Sequence, residues 1–363
     1  MKKFLPFTYD PDTSINVYEK TNEYLESNKE ISDKISELSW LYHSALDIIP
    51  TTIDSFWSGH NFPYVESWEE SQISFSQMCF GLYKQSMSSL RSVLELGLLS
   101  VYYNINDDGH NAVQKWLNSE DSKEANTPRI TDIWKILIKN ENIQKFQKNS
   151  DLKQRLLNLN YLHNYVHTKG QLYSNRLGRL KSNCQTFEQD YVLKWVETFE
   201  EIVTIVMTLH LLKFPNGMIS YDYSRKFGID IPSFSHLQGF QIQKLKKYLK
   251  NNDFKILSTI SSEDPETINF MEWIESLPEM TENDVENQIV DMDKREIERQ
   301  GMKSYEKNQL TMYQAESIDQ LPASVKIRYD KLHKWAVEND FLEGKINTAG
   351  NNGSCCTTPP NSK

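Results

Sequence analysis

Hydrophobic residues recur at three- and four-residue spacing through most of positions 15–214, the period of a helix with one buried face and not the strict alternation of a strand. An irregular lead-in over 1–14, with Pro6 and Asp10-Pro11-Asp12, precedes a charged helical segment from Val17 to Ile49 that Pro50 punctuates. Ser67-Trp68-Glu69-Glu70 reads as a helix start, serine capping and carboxylates in the first turn, and the pattern it opens runs to about Tyr103. On this long helix Phe75, Leu82, Val93 and Leu96 share one face, with Cys79, Leu90 and Gly97 beside them. Gln77, Lys84, Ser88, Arg91 and Glu95 gather on the other. Thr127-Pro128 begins a further helix with Ile133, Trp134, Ile136, Leu137 and Ile138. Asp151 precedes another, whose apolar stripe is Leu152, Leu156, Leu159, His163 and Val166. The last strong helix spans 186–213, with Tyr191, Trp195, Phe199, Ile202, Val206 and Leu209 on one side, and Pro215-Asn216-Gly217 stops it.

These elements predict a mainly α fold: a helical bundle over 15–214, a smaller helical or mixed region over 218–345, and a polar tail over 348–363 expected to be disordered. In the second region, Met218 to Phe240 reads as an extended connector. Gln241 to Leu257 reads as a basic amphipathic helix, with Lys244, Lys246, Lys247 and Lys250 opposite Leu245, Tyr248 and Leu249. Asp264-Pro265 starts a helix with Phe270, Trp273 and Ile274. Thr281 and Asp284 form a capping box for an acidic helix reaching Gln300, and Ala323 to Glu343 is one further helix.

Composition narrows the function classes. With 38% hydrophobic and 12% aromatic residues in 363, the chain can bury a sizeable core. Its net charge of -10 argues against a nucleic-acid surface covering the whole chain but leaves room for a local basic patch. Cys79, Cys184, Cys355 and Cys356 have neither disulfide-framework nor zinc-site spacing, so a reducing, cytoplasmic setting is expected. The start, Met1 to Phe7, lacks the apolar core of a signal peptide. The apolar windows 86–103 and 202–212 are interrupted by Arg91 and Glu95 or are too short to span a bilayer, so no membrane is expected. Gly-rich phosphate loops, His-Glu-x-x-His and Gly-x-Ser-x-Gly are absent, and no cofactor is expected.

The chemically richest stretch is Tyr161 to Gly170. His163 and His167 lie one turn apart, ahead of Gly170 as helix stop. His163, mid-stripe, is expected in the core; His167, on the stripe's edge, is the candidate proton donor or acceptor, with Asn164 to orient an imidazole or hold phosphate. Arg91 and Glu95 are either an ordinary i, i+4 ion pair or the phosphate-contacting wall of the same cleft. Lys169, Arg176, Arg179 and Lys181 are either a solvated loop or an RNA-backbone contact, beside which Tyr173 could stack on a base. No carboxylate or cysteine on the histidine helix has the spacing to complete a metal site, and no metal is expected.

Leu162-His163-Asn164-Tyr165-Val166-His167-Thr168, at the end of a bundle helix, resembles the distal motif of the HEPN (higher eukaryotes and prokaryotes nucleotide-binding) domains. In that motif an arginine, often followed by a polar residue, precedes a histidine by five to seven positions. Leu90-Arg91-Ser92-Val93-Leu94-Glu95 is similar to a pattern of bacterial HEPN-like proteins in defence and abortive-infection systems. The resemblance covers about 65–214, matching His167 to the motif histidine and Asn164 to its frequent asparagine. Where the motif has arginine this chain has Asn160, Tyr161 and Leu162, and Arg155 lies on the opposite edge of the stripe from His167. The resemblance implies a defence-type or toxin–antitoxin-type protein, a metal-independent RNA endonuclease with Arg91 and Glu95 facing Asn164 and His167, acting as a homodimer. The alternative is a catalytically inactive helical module that binds a regulatory protein or a nucleotide.

Overall fold

The helical segment expected from Val17 to Ile49 is two helices, α1 (Pro11–Ser27) and α2 (Lys29–Ser44), with a 3₁₀ turn over Ala45–Asp47. The first four positions of α1 fall within the stretch expected to be an irregular lead-in. The break is Asn28, whose backbone leaves the helical region (φ -120°, ψ 70°) while its side-chain amide donates to the Tyr24 carbonyl at 2.7 Å. Local side-chain bonding of this kind competes with helix propagation. The computed structural model describes residues 11–51, 58–106, 110–122, 125–175, 186–232 and 234–343. Among them helices are the only regular structure, and the fold is mainly α.

The single helix expected from Ser67 to Tyr103 is a helical hairpin, α3 (Phe62–Cys79) and α4 (Tyr83–Asn106). Gly81 makes the turn at φ +75°. Its N–H donates to the Met78 carbonyl at 3.0 Å and that of Leu82 to Gln77 at 2.8 Å, the paired bonds that close a helix end around a left-handed residue. Ser67 is no cap: it is fully buried in α3, its hydroxyl donating to the Val93 carbonyl at 2.7 Å and bonded to the Tyr42 hydroxyl at 2.6 Å. Further along the seam Ser74 and Ser86 each donate to the other's carbonyl, at 2.9 and 2.7 Å, and Ser89 donates to Gln77 at 3.1 Å.

Short helices follow: α5 (Asn111–Leu117), α6 (Ile130–Leu137), α7 (Glu141–Asn149), α8 (Leu152–Asn158) and α9 (Leu162–Val166). The expected helix after Thr127-Pro128 is α6, its apolar face formed by buried Ile130, Ile133, Trp134 and Leu137. The long α10 (Gln189–Lys213) is buried at every position from Ile202 to Leu212. It approaches α4 closely at Gly97, where an added Cβ would sit 2.9 Å from Val206 Cγ1. Both helices are apolar on most of their circumference because neighbours cover them on several sides.

The chain continues through α11 (Ser224–Phe227), α12 (Gly239–Tyr248), α13 (Asn251–Glu263), α14 (Pro265–Ser276), α15 (Glu282–Gln300), α16 (Met302–Met312) and α17 (Ala323–Glu338). The expected connector from Met218 thus contains a helical turn, and the expected helix from Gln241 to Leu257 is two. Compactness divides the chain into Met1–Tyr221 with Ser233–Trp273, and Asp222–Pro232 with Ile274–Lys363. This differs from a division at 214–218. The reason is burial: Leu245, Leu249, Leu257 and Ile260 belong to the same apolar core as α4 and α10. The second unit has its own core, Ile297, Met302, Tyr305, Tyr329, Leu332 and Ala336. The Thr281 box opens α15 as expected, with Asp284 N–H donating to Thr281 Oγ1 at 3.2 Å and Thr281 N–H to Asp284 at 2.9 Å. The tail over 348–363 lies outside the described residues.

Candidate functional site

Between α8 and α9 the chain tightens into a 3₁₀ turn over Leu159–Tyr161. That turn changes which residues face inward. A 3₁₀ helix repeats every three residues, so the buried row runs Leu152, Leu156, Leu159, Leu162 and Tyr165. His163 and Val166, placed in the stripe by a uniform helical period, rotate outward. His163 is exposed, not a core histidine, and Val166 is 47% exposed.

His167 is also exposed, and the two imidazoles form a pair with ring centroids 4.2 Å apart and planes inclined by 52°. The end of α9 repeats the geometry seen at Gly81. Lys169 N–H donates to the Asn164 carbonyl at 2.9 Å and Thr168 N–H to Tyr165 at 3.4 Å. Here the left-handed position, φ +48°, holds Thr168 instead of glycine. The expected stop, Gly170, follows two residues later. A β-branched residue in this region is strained, and it stands next to His167.

Arg91 and Glu95, on α4, form an ion pair of 2.6 Å. Arg91's side chain is 12% exposed against 33% for Glu95, so the arginine is the more enclosed partner. α4 packs against α9, and the electrostatics of His163 show who its neighbours are. Partial desolvation lowers its basicity first; positive charge on His167 and Arg91 lowers it further, Glu95 opposes this, and Lys169 adds to the lowering. The structure therefore gathers Arg91, Glu95, His163, His167 and Lys169 into one surface neighbourhood. Asn164 is half-buried and, among the described residues, its amide bonds neither imidazole; its carbonyl serves the helix end. Arg176, Arg179 and Lys181 lie outside the described residues.

Tyr173 meets Tyr165 edge-on, centroids 5.0 Å apart. Lys194 of α10 donates to the Tyr165 hydroxyl at 3.0 Å and lies 5.3 Å from the Tyr161 ring centroid. Sequence reasoning misses this cation because it comes from a helix distant in the chain, and nothing near it marks it. It misses His163 for the different reason given above.

Arg155 is drawn away from the histidines. Its Nε donates to Glu201 at 2.7 Å and its Nη2 to Thr204 at 2.6 Å, with Asp253 at 3.7 Å. Cys79 is buried in the core, which pushes its thiol up to about 12. Among the described residues no group of three or more His, Cys, Asp or Glu is arranged to hold a metal ion, and no helix is long and apolar enough to cross a membrane. Comparison with protein-family models, with curated proteins and with solved structures gives no match.

Proposed function

We propose that the surface carrying His163, His167 and Arg91 cleaves RNA without a metal, the activity that the HEPN-like resemblance implies for a defence-type or toxin-type protein. One observation carries this reading: two solvent-facing imidazoles 4.2 Å apart share their surroundings with an arginine and a carboxylate. His163, held towards its neutral form, takes the proton of a ribose 2′-hydroxyl. The 2′-oxygen bonds to phosphorus as the bond from phosphorus to the 5′-oxygen breaks. The proton that the 5′-oxygen takes up comes from His167. The products are a 2′,3′-cyclic phosphate and a 5′-hydroxyl. Arg91 and Lys169 offset the phosphate charge, and Glu95 holds the guanidinium in place. A homodimer paired through α9 fits the exposed apolar Val166 and Leu172 beside the histidines, and a cytoplasmic setting fits the cysteine usage.

The test is cleavage of single-stranded RNA by the purified chain with chelator present, after sedimentation has shown it to be a dimer. His163→Ala and His167→Ala should each slow cleavage by about 10²–10⁴-fold. Both side chains are exposed, so unfolding free energies should change by no more than about 0.5 kcal/mol. An intact RNA pool, or an unchanged rate in His167→Ala, sinks the reading. A second reading, a non-catalytic module binding a regulatory protein, is favoured by the Arg91–Glu95 pair itself, because Glu95 already matches the arginine's charge. On that reading His167→Ala leaves any cellular effect of the chain unchanged.

A further inference from the structure

On another part of the first unit, α2, α3 and α10 border an open cavity of about 430 Å³, a size that suits a small organic ligand. Its floor is two residues of α10, Trp195 and Phe199, each 2% exposed and stacked with ring centroids 5.0 Å apart. The wall on α3 is aromatic as well: Trp68 and the half-buried Phe75, whose ring lies 5.5 Å from that of Trp195. The wall on α2 is hydroxylic, formed by Ser32, Ser36 and Ser39 around the buried Ile35. Trp68 to Phe75 and Ser32 to Ser39 are equal steps along their helices, so both walls run for about 10 Å.

Two features define what fits there. Among the described residues no Asp, Glu, Lys, Arg or His lines the cavity. The charges near it are already engaged: Lys34 and Glu200 pair with each other at 2.5 Å, and Glu69 accepts from the Gln72 amide at 3.2 Å. A charged ligand would lose its water and meet no counter-charge. The serines are the second feature. On the seam between α3 and α4 each serine hydroxyl bonds across to the other helix. Those of Ser32, Ser36 and Ser39 have no partner in the chain among the described residues. Aromatic rings on one wall and the floor, with open hydroxyls on the facing wall and no charge, complement a flat neutral molecule that is polar along one edge.

We propose that this cavity binds an uncharged fused-ring aromatic molecule carrying hydroxyl or carbonyl groups along one edge. The length of the walls suits about two or three rings. The rings lie against Trp68, Phe75 and the α10 floor, and the polar edge meets the serine hydroxyls, which donate or accept as the ligand requires. An aliphatic chain of equal volume would forgo the ring-on-ring contacts and leave the hydroxyls unmet. The assignment uses none of the residues proposed for cleavage and stands without that reading.

The experiment is calorimetric titration of the full chain with 2-naphthol, naphthalene, 2-naphthoate, 2-naphthylmethylammonium and 1-decanol. Saturable binding of 2-naphthol is expected, with the anion and the cation at least about tenfold weaker because neither finds a counter-charge. Naphthalene, without the hydroxyl, and decanol, without the rings, should each bind at least about threefold more weakly. Ser36 is exposed, so Ser36→Leu fills the gap between the walls without touching the core and should abolish binding while helical circular dichroism stays unchanged. Ser32→Ala combined with Ser39→Ala should erase the preference for naphthol over naphthalene and leave naphthalene binding as it is. No saturable binding of 2-naphthol, equal affinity in Ser36→Leu, naphthoate bound as tightly as naphthol, or decanol bound more tightly overturns the proposal.

Discussion

His210 stands inside α10 with no exposed surface, its Nδ1 2.9 Å from the Val206 carbonyl and its Nε2 3.2 Å from Ser100 Oγ. A carbonyl only accepts, so Nδ1 carries the hydrogen and Nε2 accepts from the serine. Burial holds this ring neutral and pushes it down to about 4 from an ordinary 6.5. The unfolded chain therefore binds this proton first as pH falls. The stability contributed by neutral His210 is whole above 6.5 and is lost between 6.5 and 4. At pH 5 the loss is about 2 kcal/mol. Denaturant unfolding of His210→Leu at pH 7 and pH 5 should show a drop smaller by about that amount than in the parent; an equal drop would exclude this role. The contrast with His163 is one of environment, not residue type. The same imidazole is a packed core group in α10 and a solvent-facing group at α9, and neither fate is written in its nearest neighbours in sequence.

Helix ends explain most of what periodicity does and does not reveal. Where one period runs unbroken, as in α10 and α15, the element is legible. The hairpin of α3 and α4 is hidden because the apolar spacing carries across the turn almost in phase, although Gly81 stands at the break. At α9 the 3₁₀ turn shifts the phase, which a uniform helical period cannot express. The two helix ends also set up a comparison, since Gly81 and Thr168 occupy the same left-handed position in the same bonding pattern. Replacing threonine there removes a steric cost of about 1–2 kcal/mol and adds some unfolded-chain entropy. Thr168→Gly is therefore expected to stabilise the chain by about 0.5–1 kcal/mol in denaturant unfolding, and a net loss would show the strain to be absent. If the proposed cleavage uses that strain, the more stable variant should also be slower.

Across the whole molecule, two arginines divide the work between structure and surface. Arg155 joins α8, α10 and α13 through Glu201, Thr204 and the buried Asp253, whose carboxyl is raised by desolvation and lowered again by the arginine. Removing the cation leaves the buried Asp253 and the part-exposed Glu201 without it. Arg155→Met should cost about 3–5 kcal/mol, whereas Arg91→Met, which breaks a single i, i+4 pair, should cost about 0.5 kcal/mol or less by the same measurement. Similar losses in both would refute the division. Sequence pattern separates these two arginines poorly, because Arg155's partners come from helices far away in the chain. The mainly α class is legible throughout. The extent of the first unit is not, because the connector after Pro215 hides the return of α12 and α13 to the same core.

The serines between α3 and α4 have a mechanical consequence. Two smooth apolar helices can slide along one another at little expense, but a seam stitched by Ser67, Ser74, Ser86 and Ser89 has a single permitted alignment. A slip of one turn would strip four hydroxyls of their partners at once. The seam fixes α4 as a stationary rail, so breathing between α4 and α9 falls to the short α9 and its strained end.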